Sequence, residues 1–304
     1  MGEINFSQCA VAFLDILGFR AFIKAAEKPG SKQFTQFCRL QDVITQQLEI
    51  STDDLRKERL FPRNVELKVI AISDSFVLSA PIDNDKYPSY SGLVAVAVKT
   101  IQLAHQLLNM GFLMRGGIAI DSVYRTPTNI FGTGYQDAYE NESGLAKTPR
   151  ACVLLHLSAV DRLESDRHLG YPLKAFPIFM REGGQFILDT LHLHWSYVGD
   201  NRACNLAEIF NGYKANIEQN LSKLDLGSPR DKWEWMAKLF NAKQRASSEL
   251  RDVPPIHLDK YSPFAFGPTI EQPETTFIEA FGQFMGPRRY VKSFNVQGGS
   301  ENGP

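Results

Sequence analysis

The run Cys9–Leu17 (CAVAFLDIL) near the start of the chain is apolar but for Asp15, and Gly18 ends it. A short stretch that is apolar on both alternating faces reads as a buried central strand. Such a strand fixes much of its surroundings, since other strands must flank it and helices must cover it. The carboxylate near its end is a second constraint. Burying it ionised costs several kcal/mol unless it is paired or holds a cation.

The rest of the pattern supplies the partners. Phe19–Glu27 reads as a helix that Pro29-Gly30 stops, and Ser31 caps a longer one reaching about Leu48. After a loop over Leu60–Asn64, Glu66–Ala71 and Ser75–Ala80 read as strands joined in a tight hairpin. Pro81–Ser91 is a polar loop, followed by a helix over Leu93–Asn109. Phe112–Asp121 is a further strand, whose Gly116-Gly117 pair permits close backbone approach. A helix over Tyr135–Lys147 and strands at Ala151–Leu155 and Phe186–Leu188 complete the order. The fold class is α+β, a sheet packed by helices on one face. Beyond it, Leu206–Leu224 and Pro229–Leu250 read as amphipathic helices. The division is a core domain over 1–190, a helical extension over 191–252, and a Pro-rich, loosely ordered tail over 253–304.

Composition excludes several classes. With 33 basic and 34 acidic residues the formal charge is −1, so no global positive field draws the chain to nucleic acid or anionic lipid. Cys9, Cys38, Cys152 and Cys204 form no CxxC pair and no disulfide framework. The start, MGEINFSQ, lacks the basic region of a signal peptide, and apolar runs break well before the ~20 residues of a membrane span. The expected setting is cytoplasmic, with no membrane partner.

Chemistry concentrates at two aspartates. Asp15 closes the first strand and Asp74 sits in the hairpin Ile72-Ser73-Asp74-Ser75. Either alone is equally well a turn or capping residue. Together, at neighbouring strand ends, they make a hard oxygen site suited to two Mg²⁺ or Mn²⁺ ions. The N–H groups of Leu17, Gly18 and Phe19 open a helix, and a helix N-terminus cradles phosphate. Metals beside a phosphate cradle indicate a nucleoside triphosphate.

FLDILGF at 13–19 resembles the F-x-D-I-x-G-F opening of class III nucleotidyl cyclase catalytic domains. ISDSFVLSA at 72–80 is similar to their I-G-D metal hairpin, with Ser73 where they usually carry glycine. LMRGGIAID at 113–121 resembles their R-x-G-I strand, and GTGYQDAYENES at 132–143 falls where their catalytic helix lies. The resemblance covers roughly residues 9–155 and implies their ferredoxin-like sheet. It carries metal binding to Asp15, Ile16 and Asp74, and substrate contacts to Phe13, Leu17, Gly18 and Phe19.

The departures narrow the reading. The adenine-reading lysine of adenylyl cyclases is replaced by Ile70, and their transition-state asparagine and arginine fall on Ala138 and Glu142. The run Asp-Ala-Tyr-Glu-x-Glu with Pro149-Arg150 resembles instead the pyrimidine cyclases of bacterial Pycsar antiphage systems. That resemblance implies conversion of UTP, with CTP second, to the 3′,5′-cyclic monophosphate. It also implies a head-to-tail homodimer with composite sites, and a separate effector that reads the product. Arg115 is the candidate to meet negative charge in the transition state; its alternative is a surface or interface salt bridge. Lys68, on the strand face of Ile70 and Ile72, is a candidate phosphate or base contact, or else a solvated lysine. Asp137 is a candidate base reader. Two other readings stand beside this one: a cyclase-homology module that binds without turnover, and an enzyme acting on ATP or GTP.

Overall fold

The computed structural model describes residues 4–49, 66–82, 92–144, 150–165, 178–182, 184–193 and 206–261. The loop expected over 60–64, most of that over 81–91, and the tail beyond residue 261 lie outside them. Strand β1 (Ser7–Ile16) leads into α1 (Phe19–Ala26) and α2 (Lys32–Glu49). Ser31 caps α2, its Oγ accepting from the Phe34 N–H at 3.0 Å. The hairpin β2 (Lys68–Ile72) and β3 (Ser75–Pro81) is followed by α3 (Gly92–Asn109), then β4 (Met114–Arg125) and the short β5 (Ile130–Phe131). Helix α4 (Thr133–Gly144), β6 (Val153–Leu155), α5 (Leu157–Ser165), β7 (Phe179–Glu182) and β8 (Gln185–Leu188) complete the sheet layer. The extension is α6 (Leu206–Lys223) and α7 (Ser228–Ala246).

The strands order as β2-β3-β1-β4-β6-β8-β7, with β5 beside β4, and among the described residues only the β4–β6 pairing is parallel. The first four, with helices between β1 and β2 and between β3 and β4, form the split β-α-β arrangement of ferredoxin-like sheets. The chain is α+β, as expected.

Helices cover both faces, however, where the sequence pattern indicated one. Ala10, Ala12, Leu14 and Ile16 of β1 pack into the core that α3 covers, while Cys9, Val11 and Phe13 face Ala138 of α4. The buried stripe of α4 is Gly134, Ala138 and Glu142, too small and polar to announce itself as a core face. The close approach expected at the glycine pair is present: a Cβ at Gly117 would lie 2.4 Å from the Ala138 carbonyl oxygen.

The extension shares a second core with the sheet layer. Phe210, Tyr213, Ile217 and Leu221 recur on one face of α6, and with Trp233, Trp235 and Phe240 of α7 they enclose Leu113, Cys152, Leu154 and Ile187. Leu17 packs against the same cluster, and Val253 and Ile256 close it. Polar bonds fix the docking. Trp235 Nε1 donates to Glu182 Oε1 at 3.0 Å, and Lys243 pairs with Asp189.

His105 of α3 is also part of this docking. It is 2% exposed, and its Nδ1 lies 2.9 Å from the Tyr213 hydroxyl. Its Nε2 lies 3.3 Å from the His192 carbonyl oxygen, which only accepts, so Nε2 carries the proton and Nδ1 takes the tyrosine's. Burial pushes His105 down to about 4 from an ordinary 6.5, with nearby Lys243 also lowering it, against the His192 carbonyl and Asp189. Below 6.5 the unfolded chain therefore binds a proton that the folded chain refuses. His105 favours folding fully above 6.5, and that contribution is lost as pH falls toward about 4, for a total of roughly 3 kcal/mol. Urea unfolding of the wild type should show this slope and His105→Gln should flatten it; parallel curves would contradict the assignment.

Candidate active site

Register brings the two predicted carboxylates together. β1 lies between β3 and β4, so Asp15 stands opposite Ser75 on one side and Arg115 on the other. The Ile16 N–H donates to the Asp74 carbonyl oxygen at 2.9 Å, which ties the hairpin turn to the end of β1. Asp15 is pushed above its ordinary carboxylate value by burial first; Arg115 pulls it back, and the charge of Asp74 pushes it up further.

The hairpin turn carries strain at the position where the sequence departs from the resembled motif. Ser73 has φ +59°, the left-handed region that glycine occupies at low cost and other residues at about 1–2 kcal/mol. Ser73→Gly should stabilise the chain by roughly 0.5–1 kcal/mol, after the greater freedom of glycine in the unfolded state is subtracted. Urea denaturation measures this, and a loss of stability would show that the Ser73 side chain holds the turn.

Arg115 is held from two sides. Its Nη2 lies 3.4 Å from Asp15 Oδ2, and its Nε lies 2.6 Å from Glu142 Oε1, an ion pair whose N–H is not aligned for a hydrogen bond. Glu142 is 4% exposed, and burial raises its carboxyl, Arg115 opposing and Asp15 adding. Asp15, Arg115 and Glu142 thus form one chain of alternating charge under the end of α4, within a single polypeptide. The sequence marked Glu142 only as standing at the resembled family's arginine position. Its place at i+8 on the stripe begun by Gly134 was the available signal, because an acid on a buried stripe calls for a cation on the strand beneath it.

The other candidates divide. Gly18, at φ +78°, turns the chain from β1 into α1, a conformation that disfavours any side chain. The expected cradle narrows, because the Leu17 N–H already donates to the Leu113 carbonyl oxygen at 2.8 Å. The N–H groups of Gly18 and Phe19 remain at the opening of α1. Phe13, two residues before Asp15 on the same face, meets Tyr139 edge-on with ring centres 5.1 Å apart. Ile70 stands opposite Val77, and with Asn129, Phe131 and Tyr135 it lines a cleft of about 390 Å³. Lys68 pairs with Glu66 at 3.4 Å. Asp137 does not reach this cleft; it faces His156, 3.8 Å away, at the end of β6.

Among the described residues no group of three or more His, Cys, Asp or Glu side chains is disposed to hold a metal ion. Two carboxylates nevertheless suit Mg²⁺ or Mn²⁺, which take the rest of their shell from water and substrate phosphate. No helix among the described residues is long and apolar enough to cross a membrane.

No protein-family model matches the chain, and no curated protein sequence does. The solved structures to which it is similar include the following two. One is a bacterial light-regulated adenylyl cyclase, 13% identical, over 53% of this chain and 46% of that chain, with TM-score 0.35. The match thus spans just under half of that enzyme's length. The other is the monomeric guanylyl cyclase domain of the RhoGC fusion protein from the aquatic fungus Blastocladiella emersonii, 16% identical, over 61% of this chain and 96% of that domain, with TM-score 0.39.

Proposed function

We propose that the chain is a nucleotidyl cyclase that converts a pyrimidine nucleoside triphosphate, UTP before CTP, to its 3′,5′-cyclic monophosphate and pyrophosphate. In this reading the product is a second messenger of antiphage defence, read by a separate effector, and the enzyme is a homodimer. The observation that carries the chemistry is the meeting of Asp15 and Asp74 at adjoining strand ends beside Arg115.

Asp15 and Asp74, with the Ile16 carbonyl, would hold Mg²⁺ or Mn²⁺. Bound there, the metal supplies a lowered pKa at the ribose 3′-hydroxyl and positive charge for the phosphates. The 3′-oxygen bonds to the α-phosphorus, the bond from that phosphorus to the bridging oxygen breaks, the proton leaves to solvent, and pyrophosphate departs. Gly18 and Phe19 N–H groups face phosphate at the α1 opening. Arg115, tethered at Nε by Glu142 and at Nη2 by Asp15, keeps Nη1 for the charge that develops on the α-phosphate.

The cleft at Ile70 supports a pyrimidine. Its walls are largely apolar and carry no lysine to read adenine. Uracil and cytosine reverse donor and acceptor at N3 and at position 4, so a site bonded to one leaves buried groups unpaired against the other, worth up to ~10⁴-fold. Measured kcat/KM for the four ribonucleoside triphosphates should show one pyrimidine dominant. Comparable values for UTP, CTP and ATP would overturn the specificity. One feature favours a second reading, a nucleotide-binding module without turnover: Arg115 and Glu142 already occupy the surroundings of Asp15. UTP bound with no product formed would establish it.

A further inference from the structure

Glu142 stands on the stripe of α4 that faces the sheet and is 4% exposed. Among the described residues its one ion-pair partner is Arg115, whose Nε lies 2.6 Å away. Replacing a buried ion pair by apolar residues of similar volume is often neutral for stability, so stability alone does not account for this one. Its place beside Asp15 gives it another use.

The fold sets the distance. Arg115 and Gly117 alternate on β4, opposite Asp15 and Phe13 of β1, and so point to the same face. With no side chain at Gly117, α4 comes down close to the strand. A Cβ there would lie 3.0 Å from the Glu142 nitrogen and 2.7 Å from the Asn141 Cβ. Asn141 Nδ2 donates to the Leu154 carbonyl oxygen at 3.1 Å, which pins this turn of the helix to β6. The backbone thus fixes Glu142 at one side of the guanidinium, while Asp15 Oδ2 lies 3.4 Å from Nη2 at the other.

Charge then decides what Asp15 can bind. A guanidinium held 3.4 Å from a carboxylate opposes a divalent cation at that carboxylate, and in a largely buried site salt screens it little. Glu142 cancels that opposition. When ionised, Asp15, Asp74, Arg115 and Glu142 together carry −2, which one divalent cation neutralises; without Glu142 they carry −1.

We propose that Glu142 is a positioning residue for the metal: by holding and neutralising Arg115, it lets Asp15 and Asp74 take Mg²⁺ or Mn²⁺ while a cation for the phosphate stays beside them. The inference rests on the metal reading of the two aspartates. It goes beyond that reading by making metal affinity depend on a residue that touches no metal and acts only through Arg115.

Mn²⁺ titrated into the full chain without nucleotide, with the free ion followed by its electron paramagnetic resonance signal, tests this without turnover. Glu142→Gln, which keeps the shape and removes the charge, should weaken Mn²⁺ binding by about 10-fold or more. Adding Arg115→Met to Glu142→Gln should bring the affinity back to within ~3-fold of wild type, because no charge is left to cancel. A Glu142 that only supports the fold would leave the double variant at least as weak as the single one. That result, or unchanged affinity in Glu142→Gln, overturns the proposal and leaves the cyclase reading standing. If Glu142→Gln alone fails to fold, the double variant and Arg115→Met carry the test: binding more than ~3-fold weaker than wild type in either overturns the proposal. A wild type with no Mn²⁺ binding that Asp74→Asn abolishes would overturn the proposal together with the metal reading on which it rests.

Discussion

Asp74→Asn and Asp15→Ala should each lower kcat for cyclisation by on the order of 10²-fold or more, with the fold retained. The size follows from the role: neutralising charge at the reacting phosphate is worth several kcal/mol of barrier, and each 1.36 kcal/mol is tenfold in rate. Retention of the fold follows from the electrostatics. Asp15 is held above its ordinary value by burial and by Asp74, so either substitution relieves a repulsion, and Arg115 keeps Glu142 as its partner when Asp15 is gone. Steady-state kinetics beside a thermal melt separates the two effects. Near wild-type turnover in either variant would remove the metal assignment, and a collapse of Tm would make the aspartates structural.

Arg115→Ala should cost about 10²–10³-fold in kcat, the range for loss of one preorganised donor to a developing oxyanion. Arg115→Lys should recover little, because one ammonium cannot place separate nitrogens toward Glu142 and toward substrate as the planar fork does. The composite-site expectation changes here in one respect. Arg115 lies 3.4 Å from Asp15 of its own chain, so the two belong to the same half of any shared site. Mixing Asp15→Ala chains with Arg115→Ala chains should therefore restore nothing beyond the sum of the parents, since every half-site in the heterodimer is broken. Recovery toward half of wild-type activity would place Arg115 in the partner's site instead.

Much of the sheet was legible because its signals are local. The apolar run of β1, the polar turn of the hairpin, Gly18 and the Ser31 cap each act within a few residues. The two aspartates could be singled out from the same local signals, one near the end of an apolar strand and one in the hairpin turn, and the register brings them to adjoining strand ends. What escaped was tertiary. The face that α4 turns to the sheet carries Gly134, Ala138 and Glu142, which have almost no hydrophobic signature, so the second helix layer was invisible. The hydrogen bond that engages Leu17 depends on Leu113, 96 positions away in the chain. Asp137 lies close in sequence to Tyr135, which lines the Ile70 cleft, yet the turn of the helix points it to His156.

The most direct measurement is incubation of the purified chain with UTP, CTP, ATP and GTP separately in the presence of Mn²⁺, with chromatographic identification of products and an Asp74→Asn control. The expected result is one 3′,5′-cyclic pyrimidine nucleotide with equimolar pyrophosphate, absent from the control. No cyclic product from any of the four triphosphates, by a chain shown to be folded, would contradict the assignment of Asp15, Asp74 and Arg115 to nucleotidyl cyclisation.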